Sequence, residues 1–280
     1  MRVRCVEARH TGTMTPTLAA LHIFPIKSSA PLRVAEATVE PRGLRHDRRW
    51  VVTDADGRFL TGRQHPRLTL LKALPLNDAA LALSAPGMPV LHLQRPESSE
   101  RVDITVWKNT VPALPADAEA DAWISQFLGL PARLFFMDDD CVRPVDPDYA
   151  KSGDEVSFAD AFPLLMISQG SLDALNAKLA APVPILRFRP NFVVANTQAH
   201  AEDEWQRVRI GSIEFDLVKQ CSRCVFTTVD FEKGAFDPTG EPLRTLLTYR
   251  RGERGVMFGQ NVIPRGVGTV RVGDAVEVIA

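Results

Sequence analysis

Alternation of apolar and polar residues with a period of two is the feature that most constrains the fold of this chain. The segment "RVDITVW" (101–107) alternates Val, Ile and Val, and "SIEFDLV" (212–218) alternates Ile, Phe and Leu. Because successive side chains of a β-strand point to opposite faces, this period predicts half-buried strands. "RRWVVTDADGRFLTGR" predicts a hairpin about an Asp56-Gly57 turn, and "GTVRVGDAVEVIA" predicts two short strands about Gly273-Asp274.

Three segments predict helices between these strands. "ADAEADAWISQFLGL" begins at a candidate N-cap, Asp117, and meets Gly129 as a stop. "SLDALNAKLA" places three leucines on one stripe, and "EPLRTLLTYR" starts with Pro242 at the first helical position. Strands with occasional helices between them predict a mixed, β-rich fold of barrels or mixed sheets rather than a regular βαβ array.

Chain length and local composition predict the domain organisation. At 280 residues the chain holds one large domain or two of ordinary size. The polar, acidic stretch 137–160 is the predicted boundary between an N-terminal unit, 17–136, and a C-terminal unit, 161–280, and we also interpret it as a surface loop. Residues 1–16 carry several arginines but no apolar run, so we interpret them as a tail and not as a secretory signal.

Net charge and cysteine content indicate the environment in which such a chain works. The formal net charge of -1 gives no global field for holding nucleic acid, so any affinity for phosphate must be local. No apolar run approaches the ~20 residues that a membrane span needs. Four cysteines are too few for a disulfide scaffold, which favours a reducing compartment. We therefore expect a cytoplasmic protein with no membrane span and no nucleic-acid partner.

The stretch "VKQCSRCVFTTVD" (218–230) places Cys221 and Cys224 at CxxC spacing. A structural zinc site needs four ligands, and no cysteine or histidine follows Cys224. The residues after Cys224 favour a strand, whereas a thioredoxin-type motif precedes a helix, so redox dithiol chemistry is disfavoured. Two hypotheses stay open: two buried cysteines that pack as small hydrophobes, or a thiolate beside Arg223 that binds a soft metal.

"FPIKSS", "RHDRRW" and "RFRPNF" are candidate anion-binding stretches. Lys27 and Ser28 would present an ammonium and a hydroxyl at a turn, and one arginine of the second stretch would pair with its aspartate. Alternation in the third stretch would place Arg187 and Arg189 on one face of an extended segment, next to Asn191. Each stretch alone is also explained by exposed or salt-bridged side chains. Together with a candidate thiolate, they suit a small anionic cofactor that bears phosphate and a soft metal.

Six motifs stand in one order along the chain: "FPIKS", "GLRHDRRW", "TGRQHPRL", "FRPNFVV", "CSRCVFTTVD" and "VGDAV". In this order they resemble the MOSC (molybdenum-cofactor sulfurase C-terminal) family, in members such as the mitochondrial amidoxime-reducing component and its bacterial counterparts. The resemblance covers residues 17–280. It implies a β-rich fold in which a MOSC N-terminal β-barrel-like domain precedes a MOSC β-barrel domain with a few helices.

The resemblance also implies a molybdenum cofactor, molybdopterin with its phosphate, in a cleft between the two units. Cys224 matches the family's molybdenum ligand, and Ser222 and Arg223 would contact the cofactor. Phe162 stands where a relative has a hydroxyl, so only a backbone contact is implied there. The other implied contacts are Lys27, Ser28, Arg48, Ala161, Arg189, Asn191 and Asn261. The role of Cys221 is left open, with a packed thiol favoured.

For function, the resemblance implies reduction of small N-hydroxylated or N-oxygenated substrates. Bacterial relatives often append a [2Fe–2S] domain, which needs four thiolates. No cysteine follows Cys224, so we expect electrons from a separate flavin or iron–sulfur protein. The alternatives are a carrier of molybdenum cofactor or sulfur that uses Cys224, and a structural protein in which both cysteines are buried. Bound molybdenum with turnover favours the enzyme, and a persulfide without turnover favours the carrier.

Overall fold

The computed structural model describes residues 15–253 and 255–280, so most of the predicted tail lies outside the described residues. In the first half of the chain, the strands are β1 (Thr17–Ile23), β2 (Leu32–Val34), β3 (Glu36–Glu40), β4 (Gly43–Leu44), β5 (Trp50–Thr53), β6 (Lys72–Pro75), β7 (Ala80–Ser84), β8 (Leu91–Gln94), β9 (Val102–Val106), β10 (Asn109–Pro115) and β11 (Arg133–Phe136). In the second half, the strands are β12 (Leu164–Ser168), β13 (Phe192–Ala195), β14 (Arg207–Ile210), β15 (Ile213–Arg223), β16 (Val229–Asp230), β17 (Ala235–Phe236), β18 (Arg251–Gly252), β19 (Gly255–Pro264), β20 (Gly268–Arg271) and β21 (Val276–Val278).

The α-helices of the described residues are α1 (Ala118–Leu128), α2 (Gln169–Asn176) and α3 (Leu243–Tyr249). Short 3₁₀ helices span Pro66–Leu70, Ile185–Phe188, Ala201–Asp203 and Val225–Thr228. None of the helices in the described ranges combines the length and the apolar character needed to cross a membrane. The β-rich fold with a few helices that the sequence predicts is therefore confirmed.

Helix α1 confirms its sequence signals. The side chain of Asp117 accepts a hydrogen bond from the backbone N–H of Ala120, and Gly129 ends the helix in the left-handed conformation, with a φ of 73°. Both devices satisfy backbone groups that the helix ends leave unpaired. Trp123 and Phe127 are buried in the core of the first half of the chain. The helix thus covers β8 and β11 with its apolar face.

Helices α2 and α3 are shorter than the segments that the sequence predicts as helical. In α2, Leu172 and Leu175 are buried, and Leu179 packs on the same cluster beyond the end of the helix. Pro242 lies one residue before α3 rather than at its first position.

Most of the strand predictions are confirmed. β9 and β10 form an antiparallel hairpin in which Asn109 pairs with Val106, and Ile104 and Val106 are buried as the alternation predicts. The Asp56-Gly57 turn is present, but its second arm makes only a single bridge from Phe59 to Thr53. In that arm the N–H of Leu60 bonds to Val52 of β5, but the N–H of Phe59 bonds to Thr105 of β9, so the arm is shared between two strands.

A large sheet joins the two ends of the chain. Its strand order is β2-β1-β13-β12-β19-β15-β14-β21, with β18 beside β19. A bridge from Thr17 to Ala275 and a hydrogen bond from the N–H of Leu18 to the carbonyl of Asp274 bring β1 against the turn before β21. These contacts bring the two ends of the sheet together in a barrel-like arrangement, but the strands of the described residues do not form a closed barrel. β20 and β21 flank the Gly273-Asp274 turn as predicted but pair with β3 and β14, respectively.

The stretch 137–160 contains no helix or strand, and it is exposed only in part. Cys141 and Phe158 are fully buried, and Arg143 donates hydrogen bonds to the carbonyls of Ser157 and Ala159. Exposed residues alternate with the buried Cys141, Arg143 and Val145, so the stretch is a loop that packs partly on the core, and its interpretation as a surface loop stays a prediction. The domain limits drawn at this stretch stay a prediction, and β1, which carries β2 on its other edge, pairs with β13 of the second half of the chain.

Candidate functional site

A cavity of about 490 Å³ is lined by residues from both halves of the chain. Each residue that the sequence assigned to a cofactor lines it: Lys27, Ser28, Arg48, Ala161, Phe162, Arg189, Asn191, Ser222, Arg223, Cys224 and Asn261. Cys221 and Arg187 line it too. Sequence positions more than 200 residues apart are thus brought to one place, as the predicted cleft between two units requires.

The two cysteines lie at the irregular end of strand β15. Its pairing with β19 shifts register between Leu217 and Lys219, and again between Gln220 and Ser222. β-bulges of this kind bend a strand and re-aim its side chains, and they are common next to active sites. On β19, Gly259 has a φ of 82°, and a Cβ there would meet the carbonyl oxygen of Met166 at 2.9 Å. Both strands are therefore distorted near the cysteines: β15 by its bulges, and β19 by a backbone conformation that favours glycine.

The segment after Cys224 corrects the sequence prediction. "VFTTVD" begins as a 3₁₀ helix, Val225–Thr228, and only its last two residues form a strand. The hydroxyl of Thr227 donates to the carbonyl of Cys224, and that of Thr228 donates to Val225, three residues back. These local bonds outweigh the β-propensity of the threonines. The argument against dithiol chemistry from strand propensity therefore fails, while the described cysteines are free thiols.

A turn from the first half of the chain packs against this 3₁₀ helix. A Cβ at Gly62 would lie 2.2 Å from the ring of Phe226, so only glycine fits there. The N–H of Gly62 donates to the hydroxyl of Ser28. This close approach brings the next residue, Arg63, to the thiol, where its Nε donates to Cys224 Sγ over 3.1 Å.

Each thiol has its own guanidinium. Arg223 Nη1 donates to Cys221 Sγ over 2.9 Å, while Arg63 serves Cys224. Cys221 also packs against the apolar cluster that contains Phe188. A thiolate that ligates a soft metal carries negative charge, which a neighbouring guanidinium offsets. Both sulfurs have this support, so the contacts alone do not single out one ligand.

The "RFRPNF" segment is not extended, which corrects the predicted shared face of its arginines. Ile185–Phe188 forms a 3₁₀ helix, and Arg189 is left-handed, with a φ of 58°. Arg187 donates to the carbonyl of Thr228 and lies 3.8 Å from Asp230. Arg187 is thus held by the protein, whereas Arg189 turns toward a different part of the wall.

Arg189 carries the clearest signature of an anion site. Its Nη1 donates to the carbonyl of Ser29, but its Nη2 is buried with no hydrogen-bond partner, and so is the Nε of Arg223. Burial, and then repulsion from Arg48, hold the pKa of Arg189 well below its ordinary value. A buried donor without a partner costs free energy. An anion in the cavity would supply the missing acceptors.

Lys27 is buried beneath the same wall. Its Nζ donates to the carbonyl of Phe158 over 2.8 Å and to Asp160 Oδ1 over 2.5 Å. Burial lowers the pKa of Lys27 to about 8, although the attraction of Asp160 opposes the shift. The ammonium is therefore costly to keep charged in the folded protein, and a bound anion would reduce that cost.

Arg48 is held in place by a local network. It pairs with Asp47, as predicted, at 2.5 Å and donates to Asn191 Oδ1 over 3.0 Å. Asn191 is fully buried, accepts a second bond from the N–H of Leu165 and donates to the carbonyl of His22. Asn191 therefore fixes Arg48 in the wall, and most of its own hydrogen-bonding capacity is used by the protein.

The remaining predicted residues form less specific parts of the wall. Phe162 is buried and stacks edge-on against Tyr149, with ring centroids 5.9 Å apart. Asn261 lies on β19 opposite Lys219 of β15. Ala161 and Ser222 are exposed. Ala161 and Phe162 therefore offer only backbone polar groups to a ligand, whereas Ser222 and Asn261 also carry polar side chains.

Sequence reasoning missed three residues of the site: Arg63, Asp160 and Trp107. Arg63 stands in "TGRQHPRL", where a glycine before an arginine signals a close backbone approach. Asp160 is the last residue of the acidic stretch 137–160, where no motif sets it apart from the other carboxylates. Trp107 occupies the tip of the β9–β10 hairpin, where a large aromatic residue is unusual. All three line the cavity.

Backbone strain is concentrated at this cavity. Ser28, Arg48, Trp107 and Arg189 have positive φ values of 51–67° and line it together. Non-glycine residues in this conformation cost about 1–3 kcal/mol each and tend to occur at functional sites. The lining also combines seven basic side chains with a single carboxylate among the described residues. An anionic ligand with a thiolate-binding centre fits this set of groups.

Two family models match the chain. The model described as the MOSC N-terminal beta barrel domain matches residues 15–131. The model described as the MOSC domain matches residues 153–277.

Proteins called mitochondrial amidoxime-reducing component are similar to the chain over nearly its whole length. Component 1 of Mus musculus is 35% identical over 94% of this chain and 82% of its own length. Component 1 of Homo sapiens is 33% identical over 94% of this chain and 83% of its own. Component 2 of Rattus norvegicus is 34% identical over 93% and 82%, respectively.

Proposed function

This chain belongs to the MOSC family, in the group that carries both MOSC domains, and we propose that it is a molybdenum-cofactor-dependent reductase of N-hydroxylated compounds. Cys224 ligates the metal, and a separate flavin or iron–sulfur protein supplies the electrons. The enzyme works in the cytoplasm, as the cysteine content predicts. The names of the relatives, amidoxime-reducing components, support the reaction class.

One observation carries this proposal: the cavity beside Cys224 contains buried basic nitrogens that lack partners. Arg189 Nη2 and Arg223 Nε are these atoms. Molybdopterin bears a phosphate and dithiolene sulfurs, which are acceptors for such donors. The group also needs a thiolate ligand, and Cys224 Sγ lies at the same wall. The residues therefore fit the cofactor.

The residues divide into two tasks in this proposal. Arg189, Arg223 and Lys27 bind the anionic parts of the cofactor, while Arg48 is held in position by Asn191. Arg63 donates to the sulfur of Cys224 and offsets its negative charge. The bound cofactor supplies a metal that exchanges electrons in pairs with the substrate, and the protein binds and orients the reactants.

The overall reaction balances as a two-electron reduction. An N-hydroxylated amidine takes up two electrons and two protons, its N–O bond breaks, and the amidine and water leave. The donor protein supplies the electrons, and solvent supplies the protons through the open mouth of the cavity. The protein itself is not consumed, because no residue needs to change its covalent bonds.

The test compares Cys224→Ser with its matched control, Cys221→Ser, in protein made by a host that synthesises molybdenum cofactor. We expect stoichiometric molybdenum and pterin in the unaltered protein, and reduction of benzamidoxime with reduced methyl viologen as donor. Cys224→Ser should abolish turnover because the metal loses its thiolate. Cys221→Ser should be milder because that thiol packs against apolar side chains.

Three outcomes would contradict the proposal. Equal loss of turnover in both variants would indicate a dithiol or zinc site. A persulfide on Cys224 without any turnover would indicate a carrier of sulfur or cofactor. Absence of molybdenum from protein made in the competent host would remove the cofactor from the proposal altogether.

A further inference from the structure

Asp160 is opposite in charge to the basic residues that line the cavity. It is the single carboxylate among the described lining residues, facing the basic side chains of Lys27, Arg48, Arg63, Arg187, Arg189, Lys219 and Arg223. Its side chain is 58% exposed, so it lies at the open part of the cavity rather than in the wall. A carboxylate here opposes the binding of an anionic cofactor, which indicates a different task.

Two cations hold this carboxylate in a defined place. Asp160 Oδ1 accepts a hydrogen bond from Lys27 Nζ over 2.5 Å, and Oδ2 accepts one from Arg63 Nη2 over 3.1 Å. The same guanidinium donates through Nε to Cys224 Sγ. One planar group therefore fixes the carboxylate relative to the thiol. Since a carboxylate can accept about four hydrogen bonds, Asp160 keeps acceptor capacity toward the cavity.

The charge of Asp160 is secure at neutral pH. Partial desolvation inside the cavity would raise the pKa of Asp160, but attraction to Lys27 and Arg63 outweighs it and holds the pKa well below the ordinary range. An ionised carboxylate only accepts hydrogen bonds and cannot donate a proton. Asp160 therefore recognises donors and does not act as a general acid.

Trp107 provides an aromatic surface in the same cavity. The residue is 41% exposed and has a φ of 56°, which is strained for a bulky side chain. Its ring contacts Phe59 edge-on, with centroids 4.9 Å apart, and the guanidinium of Arg63 lies 4.5 Å from its centre. Arg63 thus links the aromatic ring, the carboxylate and the thiol.

We propose that Asp160 and Trp107 form the substrate-recognition side of the cavity, and that Asp160 selects N-hydroxylated compounds with an N–H donor beside the N–O bond over tertiary amine N-oxides. This inference rests on the proposed reductase function. Amidoximes and N-hydroxyguanidines present an NH₂ group to the carboxylate and a planar face to the indole. A tertiary amine N-oxide has no such donor, and its oxygen would meet another acceptor.

The experiment compares two substrates on the holoenzyme with reduced methyl viologen as donor. Benzamidoxime carries the donor, and N,N-dimethylaniline N-oxide has a similar ring without it. For Asp160→Asn we expect kcat/KM for benzamidoxime to fall about 10- to 100-fold, mainly through KM, because a charge-assisted hydrogen bond is lost. The kcat/KM for the N-oxide should change less than about twofold. Asp160 also contacts Lys27, which is a proposed cofactor contact. Rates are therefore divided by molybdenum content, so that a loss of cofactor is not counted as a loss of substrate recognition.

A binding measurement separates this inference from the proposed function. Benzamidine, the amidine that the reaction would release, is titrated into the oxidised holoenzyme by calorimetry. Asp160→Asn should weaken its binding by a similar factor, and the matched control Asp78→Asn, an exposed aspartate outside the cavity, should not. If neither substrate is reduced but this difference persists, the reductase proposal fails and the recognition site stands.

Trp107→Leu gives an independent test should Asp160→Asn lose its cofactor. It should lower kcat/KM several-fold for benzamidoxime and little for acetamidoxime, which has no ring to stack. The inference is overturned if Asp160→Asn slows both substrates equally, or if it changes neither reduction nor benzamidine binding. It is also overturned if both amidoximes respond alike to Trp107→Leu.

Discussion

Two arginine-rich depressions of nearly equal size lie in this molecule, and they differ in how their charges are compensated. The cavity at Cys224 measures about 490 Å³. The second, which we call the paired groove, measures about 450 Å³ and is lined by Glu40, Arg42, Arg45, His46, Arg49, Asp78, Arg95, Asp139 and Glu155 among others. The cavity has seven basic residues and the groove has four arginines and a histidine, so both depressions are rich in positive charge.

In the paired groove, most guanidiniums meet a carboxylate. Arg42 lies 2.7 Å from Glu155, Arg45 2.7 Å from Glu40, and Arg49 2.7 Å from Asp139. None of the buried, partnerless side-chain atoms found among the described residues belongs to this groove, whereas two belong to the cavity. Buried charged groups that lack hydrogen-bond partners, rather than the number of charged groups, therefore distinguish a ligand site from a structural ion-pair network.

The largest expected effect tests the free-energy cost of burying the charge of Lys27. Burial lowers the pKa of Lys27 from 10.5 to about 8, so between these pH values the unfolded chain binds more protons at this residue than the folded chain. The free energy of unfolding must then rise with pH across that window. Across this pH window, the free energy of unfolding of the cofactor-free protein should rise by about 3 kcal/mol more than that of Lys27→Met. Each unit of pKa shift contributes about 1.4 kcal/mol.

Urea unfolding of both proteins at intervals from neutral to strongly alkaline pH measures this difference. Lys72→Met is the matched control, because Lys72 is exposed on β6, and its curve should run parallel to that of the unaltered protein. Parallel curves for Lys27→Met as well would show that Lys27 carries no burial cost. The contrast between cavity and groove would then lose its energetic basis.

The second effect concerns cofactor retention at Arg189. Arg189→Ala should weaken binding of the cofactor by about one to two decades, since a charge-assisted contact contributes roughly 1.5–3 kcal/mol. Arg45→Ala in the paired groove should leave binding unchanged. Molybdenum content after extended dialysis measures both variants. Full retention by Arg189→Ala would mean that its partnerless nitrogen does not face the cofactor.

The fold could be predicted where its signals are local. The alternation of β9 and the cap and stop of α1 lie within the elements that they specify, and both are confirmed. The 3₁₀ helix after Cys224 was missed because its stabilisation comes from threonine side chains that bond to backbone carbonyls. Strand propensity takes no account of such bonds.

Site residues that belong to recognisable sequence motifs could be predicted. Contacts between segments far apart in the sequence could not. All predicted cofactor residues line one cavity, although their roles stay a prediction. Arg63 contacts Cys224 across 161 positions of sequence, and that contact depends on the fit of Gly62 against Phe226. No pattern within either segment indicates its partner, so this pair required the folded structure.

The smallest expected effect concerns the paired groove itself. Glu40 and Arg45 form an ion pair at 2.7 Å, with side chains 27% and 45% exposed. Exposed pairs contribute roughly 0.2–1 kcal/mol, because water screens the attraction and two long side chains lose freedom. A double-mutant cycle of Glu40→Ala and Arg45→Ala, measured by urea unfolding, should therefore give a coupling free energy below about 1 kcal/mol.

High salt sharpens this last test. At about 1 M ionic strength the screening length falls to roughly 3 Å, so the coupling between Glu40 and Arg45 should shrink further. The molybdenum content of both variants should match that of the unaltered protein, because their charges compensate each other and do not serve a ligand. A coupling well above 1 kcal/mol that survives salt, or a loss of molybdenum, would mean that the groove is more than a structural ion-pair network. Compensation of charge would then no longer distinguish the two depressions.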